Sequence, residues 1–186
     1  MTGAGFSHRL ATAADLPALG LLVEAAMARL MSGHLSPAEI ESSRAIMGVD
    51  SQLVADGTYY VVESEGRLAG GGGWSRRVTM YGGDASPGRD ARLLDPAREP
   101  MRVRAMFTAP DFARRGVGRL VLGLCEDAAR AEGFRRAQLV ATMPGLPLYE
   151  ACGFRVTERF TDATGGAPVP LARMEKELQP PDPPRR

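Results

Sequence analysis

Residues 113–119 read Ala-Arg-Arg-Gly-Val-Gly-Arg, and an apolar stripe at helical spacing follows at once: Val117, Leu120, Val121, Leu124, Ala128 and Ala131. A helix that starts on glycines presents backbone N–H groups that its own first turn cannot satisfy, and such a terminus is a site for phosphate. Arg114, Arg115 and Arg119 add positive charge there. Just upstream, Arg102 to Thr108 reads as a strand. Strand, basic glycine turn and helix together restrict the fold to one that sets a helix N-terminus beside a strand, and they point to a phosphorylated cofactor.

Two well-known phosphate motifs are excluded. No Gly-Lys-Ser/Thr follows, so the turn is not a P-loop. The dinucleotide fingerprint wants a third glycine where this chain has Val121, and an acid about 20 residues on, where it has Gln138. A lone Gly-x-Gly also serves ordinary turns and helix ends, so the rest of the chain has to decide.

The periodicities alternate along the chain. Ser7 to Ala13 reads as a first strand, and a helix follows on Leu19, Leu22, Val23, Ala26, Met27 and Leu30, with Asp15 and Pro17 in its first turn. Ser36-Pro37-Ala38-Glu39 carries the signature of a capping box and predicts a second helix running towards Met47. Thr58–Ser64 and Arg67–Ser75 predict a hairpin around Glu65-Gly66. Gly70 to Gly73 are poor strand formers, and such glycines mark a bulge or a close approach by a neighbour. From Arg76 to Pro100 the periodicity vanishes; five Arg, four acids, three Pro and three Gly describe a long loop with a short element around Val78–Tyr81. Beyond the central strand and helix come a strand Ala137–Thr142, a short helix Leu146–Cys152, and strands Phe154–Thr161 and Pro168–Glu177. This order predicts one α+β domain over residues 1–178, a mixed sheet with helices on both faces, and a disordered Pro/Arg tail over 179–186.

Four pieces carry a resemblance. They are Ala105-Met106-Phe107-Thr108, Asp111-Phe112-Ala113-Arg114-Arg115-Gly116-Val117-Gly118, Ala137-Gln138-Leu139-Val140-Ala141-Thr142 and Pro147-Leu148-Tyr149-Glu150-Ala151-Cys152-Gly153-Phe154. In this order and spacing, the segment from Met101 to Phe154 resembles the GNAT acyltransferase superfamily. One position departs: Ala113 stands where the family usually has Gln or Arg. The resemblance implies a bulged central strand that splays from its neighbour to admit the pantetheine arm of acetyl-CoA. It implies that the backbone of Met106, Phe107 and Thr108 pairs with that arm. The pyrophosphate would sit on the N–H groups of Arg114, Arg115, Gly116, Val117, Gly118 and Arg119. The implied activity is transfer of an acetyl group from acetyl-CoA to a primary amine, by direct attack while both substrates are bound. A non-catalytic acyl-CoA sensor, or transfer of another acyl group or to a hydroxyl, are the alternatives. The resemblance also suggests a homodimer through C-terminal strands, with Val169–Met174 as an edge to be covered.

Thioester aminolysis wants a neutral amine, donors for developing negative charge, and an acid near the departing sulfur. Tyr149 occupies the place of the family's acid, and a phenol is protonated at neutral pH. Thr142, at the end of its strand, is a second hydroxyl donor near the sulfur or simply a strand residue. The central strand begins Met101-Arg102-Val103-Arg104 without a carboxylate, and Asp95 and Glu99 nearby read as solvated loop charges. Acceptor choice is expected in residues 28–36 and 74–100, where His34, Trp74, Met80 and Tyr81 are candidate liners.

Net charge is +1, which gives no argument for nucleic acid or membrane surfaces. No signal-like N-terminal pattern and no long apolar run is present, so a cytoplasmic location is expected. Lys176 is the single lysine among the 23 Lys and Arg residues, an arginine bias expected of a GC-rich, bacterial genome. Cys125 and Cys152 are expected to be thiols, and two His with two scattered Cys give no metal-ligand spacing.

Overall fold

A computed structural model of the chain describes residues 5–178. The expected tail over 179–186 lies outside the described residues. Seven strands form one sheet in the order β1-β2-β3-β4-β5-β7-β6. They are β1 Ser7–Leu10, β2 Tyr59–Ser64, β3 Arg67–Ser75, β4 Met101–Thr108, β5 Arg136–Thr142, β6 Arg155–Asp162 and β7 Val169–Glu177. All neighbours are antiparallel except β4 and β5, so the sheet is mixed, as expected. Five helices cover it: α1 Leu16–Leu30, α2 Pro37–Ser43, α3 Ser51–Ala55, α4 Val117–Ala131 and α5 Leu146–Ala151.

The pleat assigns the two faces. Val61 and Val62 are both fully buried, yet Val61 packs with Leu19, Leu22 and Leu53 while Val62 packs with Val117, Val121 and Cys125. Helices α1 to α3 therefore lie on one face, and α4 and α5 on the other. The capping box at α2 forms as expected: the Glu39 amide donates to Ser36 Oγ at 3.3 Å, and the Ser36 amide to Glu39 Oε2 at 2.7 Å.

The glycine run of β3 has the physical reason anticipated for it, a close approach at every position. A Cβ on Gly70 would lie 2.6 Å from Val117 Cγ1 and 2.8 Å from the Phe107 carbonyl oxygen. On Gly72 it would run into the Met106 side chain, and on Gly73 it would lie 2.8 Å from the Thr58 carbonyl oxygen. Absent side chains let α4 and both neighbouring strands close onto β3, whose residues from Ala69 to Ser75 are buried. Gly73→Ala should lower stability by about 1–3 kcal/mol, because the backbone of Thr58 and Tyr59 has to yield. A urea midpoint equal to that of the wild type would contradict this packing.

Four expectations are corrected. The first strand stops at Leu10, since Thr12 caps a single 3-10 turn over Ala13–Asp15. The helix from Ser36 ends at Ser43, and a separate short helix, α3, precedes β2. The 76–100 segment is a loop, but no helix or strand forms around Val78–Tyr81; instead Arg77 makes an isolated bridge to Leu93, and Val78 N–H donates to the Arg92 carbonyl at 3.0 Å. Finally, Val169–Met174 is not an edge. β7 is paired on one side by β5 and on the other by β6, which removes that reason for a homodimer. The edge strands are β1 and β6, and on β6 the exposed Arg155, Glu158 and Arg159 discourage edge-to-edge pairing. No helix among the described residues is long and apolar enough to cross a membrane.

Candidate active site

β4 and β5 run parallel and in register only at Met101–Ala137 and Arg102–Gln138. Past that point β4 stays with β3, and β5 stays with β7, so the sheet forks. The β3–β4 register shifts between Gly71 and Gly73, which places a bulge in β4 at Ala105 and Met106. Ala105 takes φ +50°, an unusual value for an L residue, and the buried Tyr59 hydroxyl donates to its carbonyl at 3.1 Å. A cleft of about 710 Å³ runs through this fork, with lining residues from both faces of the sheet.

On the α4 face the cleft meets the glycine turn. Arg114 and Gly116 have φ values of +64° and +91°, and such left-handed residues turn successive N–H groups to one side. The first intrahelical bond of α4 runs from the Leu120 amide to the Gly116 carbonyl at 3.0 Å. Among the described residues, the amides of Arg114, Gly116, Val117, Gly118 and Arg119 therefore find no backbone acceptor. Arg115 behaves differently from its neighbours. Its amide turns back to the Phe112 carbonyl at 3.4 Å, and its guanidinium stacks over the Phe112 ring at 5.0 Å. Arg67, 2.9 Å from the Asp111 carboxylate, holds that acid in an ion pair beside the turn.

Ten of the eleven residues singled out from sequence line this one cleft: Met106, Phe107, Thr108, Arg114, Gly116, Val117, Gly118, Arg119, Thr142 and Tyr149. Arg115 is the exception. Tyr149 sits on α5, with its ring edge-on to Phe154 at 6.0 Å, and the residue is 8 % exposed. Among the described residues its hydroxyl has no hydrogen-bond partner, and it is not one of the sealed, orphaned polar atoms. Burial pushes the phenol well above its usual value, so it stays a proton donor through neutral and mildly alkaline pH. Thr142 and Tyr149 flank Gly145: a Cβ there would lie 3.1 Å from Tyr149 Cε2 and 3.4 Å from Thr142 Oγ1.

On the α1–α2 face the lining includes Met27, Met31, Ile46, Met47, Tyr81 and Leu171, with exposed His34 at the rim. Tyr81 donates to Asp162 at 2.7 Å, and burial followed by this bond pushes its pKa up to about 12. Two other candidate liners are elsewhere. Trp74 is buried on the opposite face, edge-on to Phe134 at 5.9 Å, and Met80 is not part of the lining. Asp95 and Glu99 lie apart from the cleft, as solvated charges would. Arg92, followed by the Asp95 amide, holds Glu99 down to about 2, too acidic for a useful base.

One group escaped the sequence reading. Asp50 is fully buried, 2.6 Å from Arg104 Nη2 and 2.9 Å from Arg89 Nη2. Arg104 Nη2 directs its hydrogen bond to the Gly82 carbonyl at 2.7 Å, so its contact with Asp50 Oδ2 is an ion pair without hydrogen-bond alignment. The cluster joins β4, the start of α3 and the 76–100 segment immediately beside the bulge. No local pattern links residues so far apart in sequence, although an arginine in mid-strand is itself an oddity that wants a partner. Among the described residues no group of three His, Cys, Asp or Glu is placed to hold a metal ion.

A forked mixed sheet with a glycine turn opening a helix beside the fork is an acyltransferase architecture. Residues 27–154 match the acetyltransferase (GNAT) family, and the chain belongs to that family. No curated protein sequence matches it. Among solved structures it is similar to a GCN5-related N-acetyltransferase from Rhodopseudomonas palustris, with a TM-score of 0.71 and 18 % identity over 96 % of this chain and 99 % of that one. A PaiA N-acetyltransferase from Thermoplasma acidophilum, in complex with coenzyme A, gives 0.64 and 14 % over 92 % and 98 %. A ribosomal-protein-alanine N-acetyltransferase from Brucella melitensis gives 0.64 and 20 % over 92 % and 99 %. At these identities the likeness is one of fold.

Proposed function

We propose that the chain transfers an acetyl group from acetyl-CoA to a primary amine, with both substrates bound in the through-sheet cleft and Tyr149 as the proton donor. The observation that carries this reading is the convergence of the fork, the glycine turn and the Tyr149 hydroxyl on one cleft. The donor fits that cleft: five backbone amides without acceptors suit a pyrophosphate, and a strand freed along one edge suits amide groups of a pantetheine arm. The similarity to an enzyme described with coenzyme A supports the same donor.

Acetyl-CoA supplies an acyl group already activated as a thioester. The backbone of Met106, Phe107 and Thr108 holds the arm in line with β4. The amides of Arg114, Gly116, Val117, Gly118 and Arg119, with the charges of Arg114 and Arg119, hold the phosphates, while Arg115 braces the turn against Phe112. The amine nitrogen forms its bond to the carbonyl carbon as the carbon–sulfur bond breaks. Tyr149 Oη gives its proton to the departing sulfur, and the proton lost by the amine passes to water in the cleft, which returns one to Tyr149 for the next turnover. Thr142 Oγ1 is the second hydroxyl at this point.

Reversing the two charges that face the phosphates tests the donor site. Arg114→Glu/Arg119→Glu should weaken CoA binding by roughly 10²-fold in calorimetry, while the thermal transition stays put, because both residues are exposed. Unchanged affinity would place the cofactor elsewhere. Chemistry at Tyr149 is further read from the pH profile: with its phenol raised, kcat should show no loss of the acid form below about pH 10. A fall centred near pH 8 would point to another proton donor.

A further inference from the structure

The acceptor mouth, on the α1–α2 side, is walled by thioether, aliphatic and aromatic side chains: Met31, Ile46, Met47, Tyr81 and Leu171. The charged Asp, Glu, Lys and Arg side chains lining the whole cleft, among the described residues, are Arg104, Arg114 and Arg119. Of these, Arg104 is the one beside the bulge. Its guanidinium meets the buried Asp50, which also pairs with the partly exposed Arg89, and Asp84, on the Ser51 amide, adds a second carboxylate on the outer side of this cluster.

We infer that the acceptor is a hydrophobic primary monoamine, a single amino group on an alkyl or aryl body, and that the apolar wall together with Arg104 excludes diamines and polyamines. The inference rests on the acetyltransferase reading above and names the substrate class of that same site. The wall favours an apolar body in proportion to the surface it covers. A second ammonium would enter an apolar wall whose lining carries no carboxylate, the Asp162 carboxylate behind it being held by the Tyr81 hydroxyl, and with a guanidinium ahead of it, and burying such a charge unpaired is costly. The same surroundings act on the reacting group. Low polarity and a nearby positive charge both disfavour ammonium relative to amine, so the amine reaches the thioester neutral.

A homologous series tests this with the full chain. Acetyl-CoA is offered with ethylamine, butylamine and hexylamine, and with 1,6-diaminohexane, and thiol release is followed. The value of kcat/KM should rise about three- to fourfold per added methylene, and hexylamine should exceed 1,6-diaminohexane by at least about 10²-fold. Calorimetry on protein saturated with CoA should show the same order of binding without turnover. Met47→Glu, a change at a half-buried wall position, should raise the diamine-to-hexylamine ratio at least about tenfold. If that variant loses its fold by circular dichroism, the wild-type series decides alone. A flat series, a preference for the diamine, or a ratio unmoved in folded Met47→Glu overturns the inference while acetyl-CoA binding, measured separately, leaves the donor reading standing. Absence of acetyl-CoA binding overturns both.

Discussion

Asp50→Ala is expected to remove about 3–5 kcal/mol of unfolding free energy, the cost of stranding a buried guanidinium. The Arg104 side chain is 1 % exposed and has its ion-pair partner in Asp50 at 2.6 Å. Without that carboxylate, Arg104 keeps one hydrogen bond to the Gly82 carbonyl and no counter-charge within the core. For a chain of this length the loss corresponds to a fall in Tm on the order of 10 °C. Arg89 also loses its partner, but it is partly exposed and water can serve it. The double variant Asp50→Ala/Arg104→Leu should recover a substantial part of the loss, since a neutral pair no longer strands a charge. Additive losses in the double variant, or a single-variant effect under about 1 kcal/mol, would show that the cluster does not anchor the bulged strand.

Tyr149→Phe is expected to lower kcat by about 10²-fold or more, with acetyl-CoA affinity nearly unchanged. The substitution keeps the ring and its edge-on contact with Phe154, and removes a hydroxyl that has no protein partner to leave unsatisfied. Stability should therefore hold, which separates chemistry from packing. Intact turnover would move the proton donor to Thr142 or water. A joint collapse of affinity and Tm would make Tyr149 a core residue whose hydroxyl is incidental.

Much of the architecture is legible from local chemistry. The Ser36–Glu39 box, the stripe on α4 and the glycine turn each encode their own geometry, and each forms where the pattern places it. The turn even foretells which amides stay free, except at Arg115, because its stacking on Phe112 is a contact that spacing does not record. What stayed hidden depends on partners distant in sequence. Helix α3 has five residues and too little periodicity to announce itself, and Asp84 caps its first amide at 3.0 Å from 33 residues downstream. The expectation of an edge at Val169–Met174 fails because β7 inserts between β5 and β6, an order that no local pattern records. Trp74 leaves the list of liners because of the sheet face it occupies, and Met80 because the 76–100 segment keeps it out of the cleft, neither of which local pattern records. The Asp50–Arg104 pair joins residues 54 apart, a relation set by tertiary packing alone.

The cleft passes through the sheet rather than into it, and so it has two entrances. Under the proposed function, a nucleotide-bearing donor on the α4 side and an acceptor on the α1–α2 side would not share a doorway, and neither would have to depart before the other arrives. Between the two sides stands the bulged backbone of Ala105, part of the cleft wall, held in place by the buried Tyr59 hydroxyl rather than by either substrate.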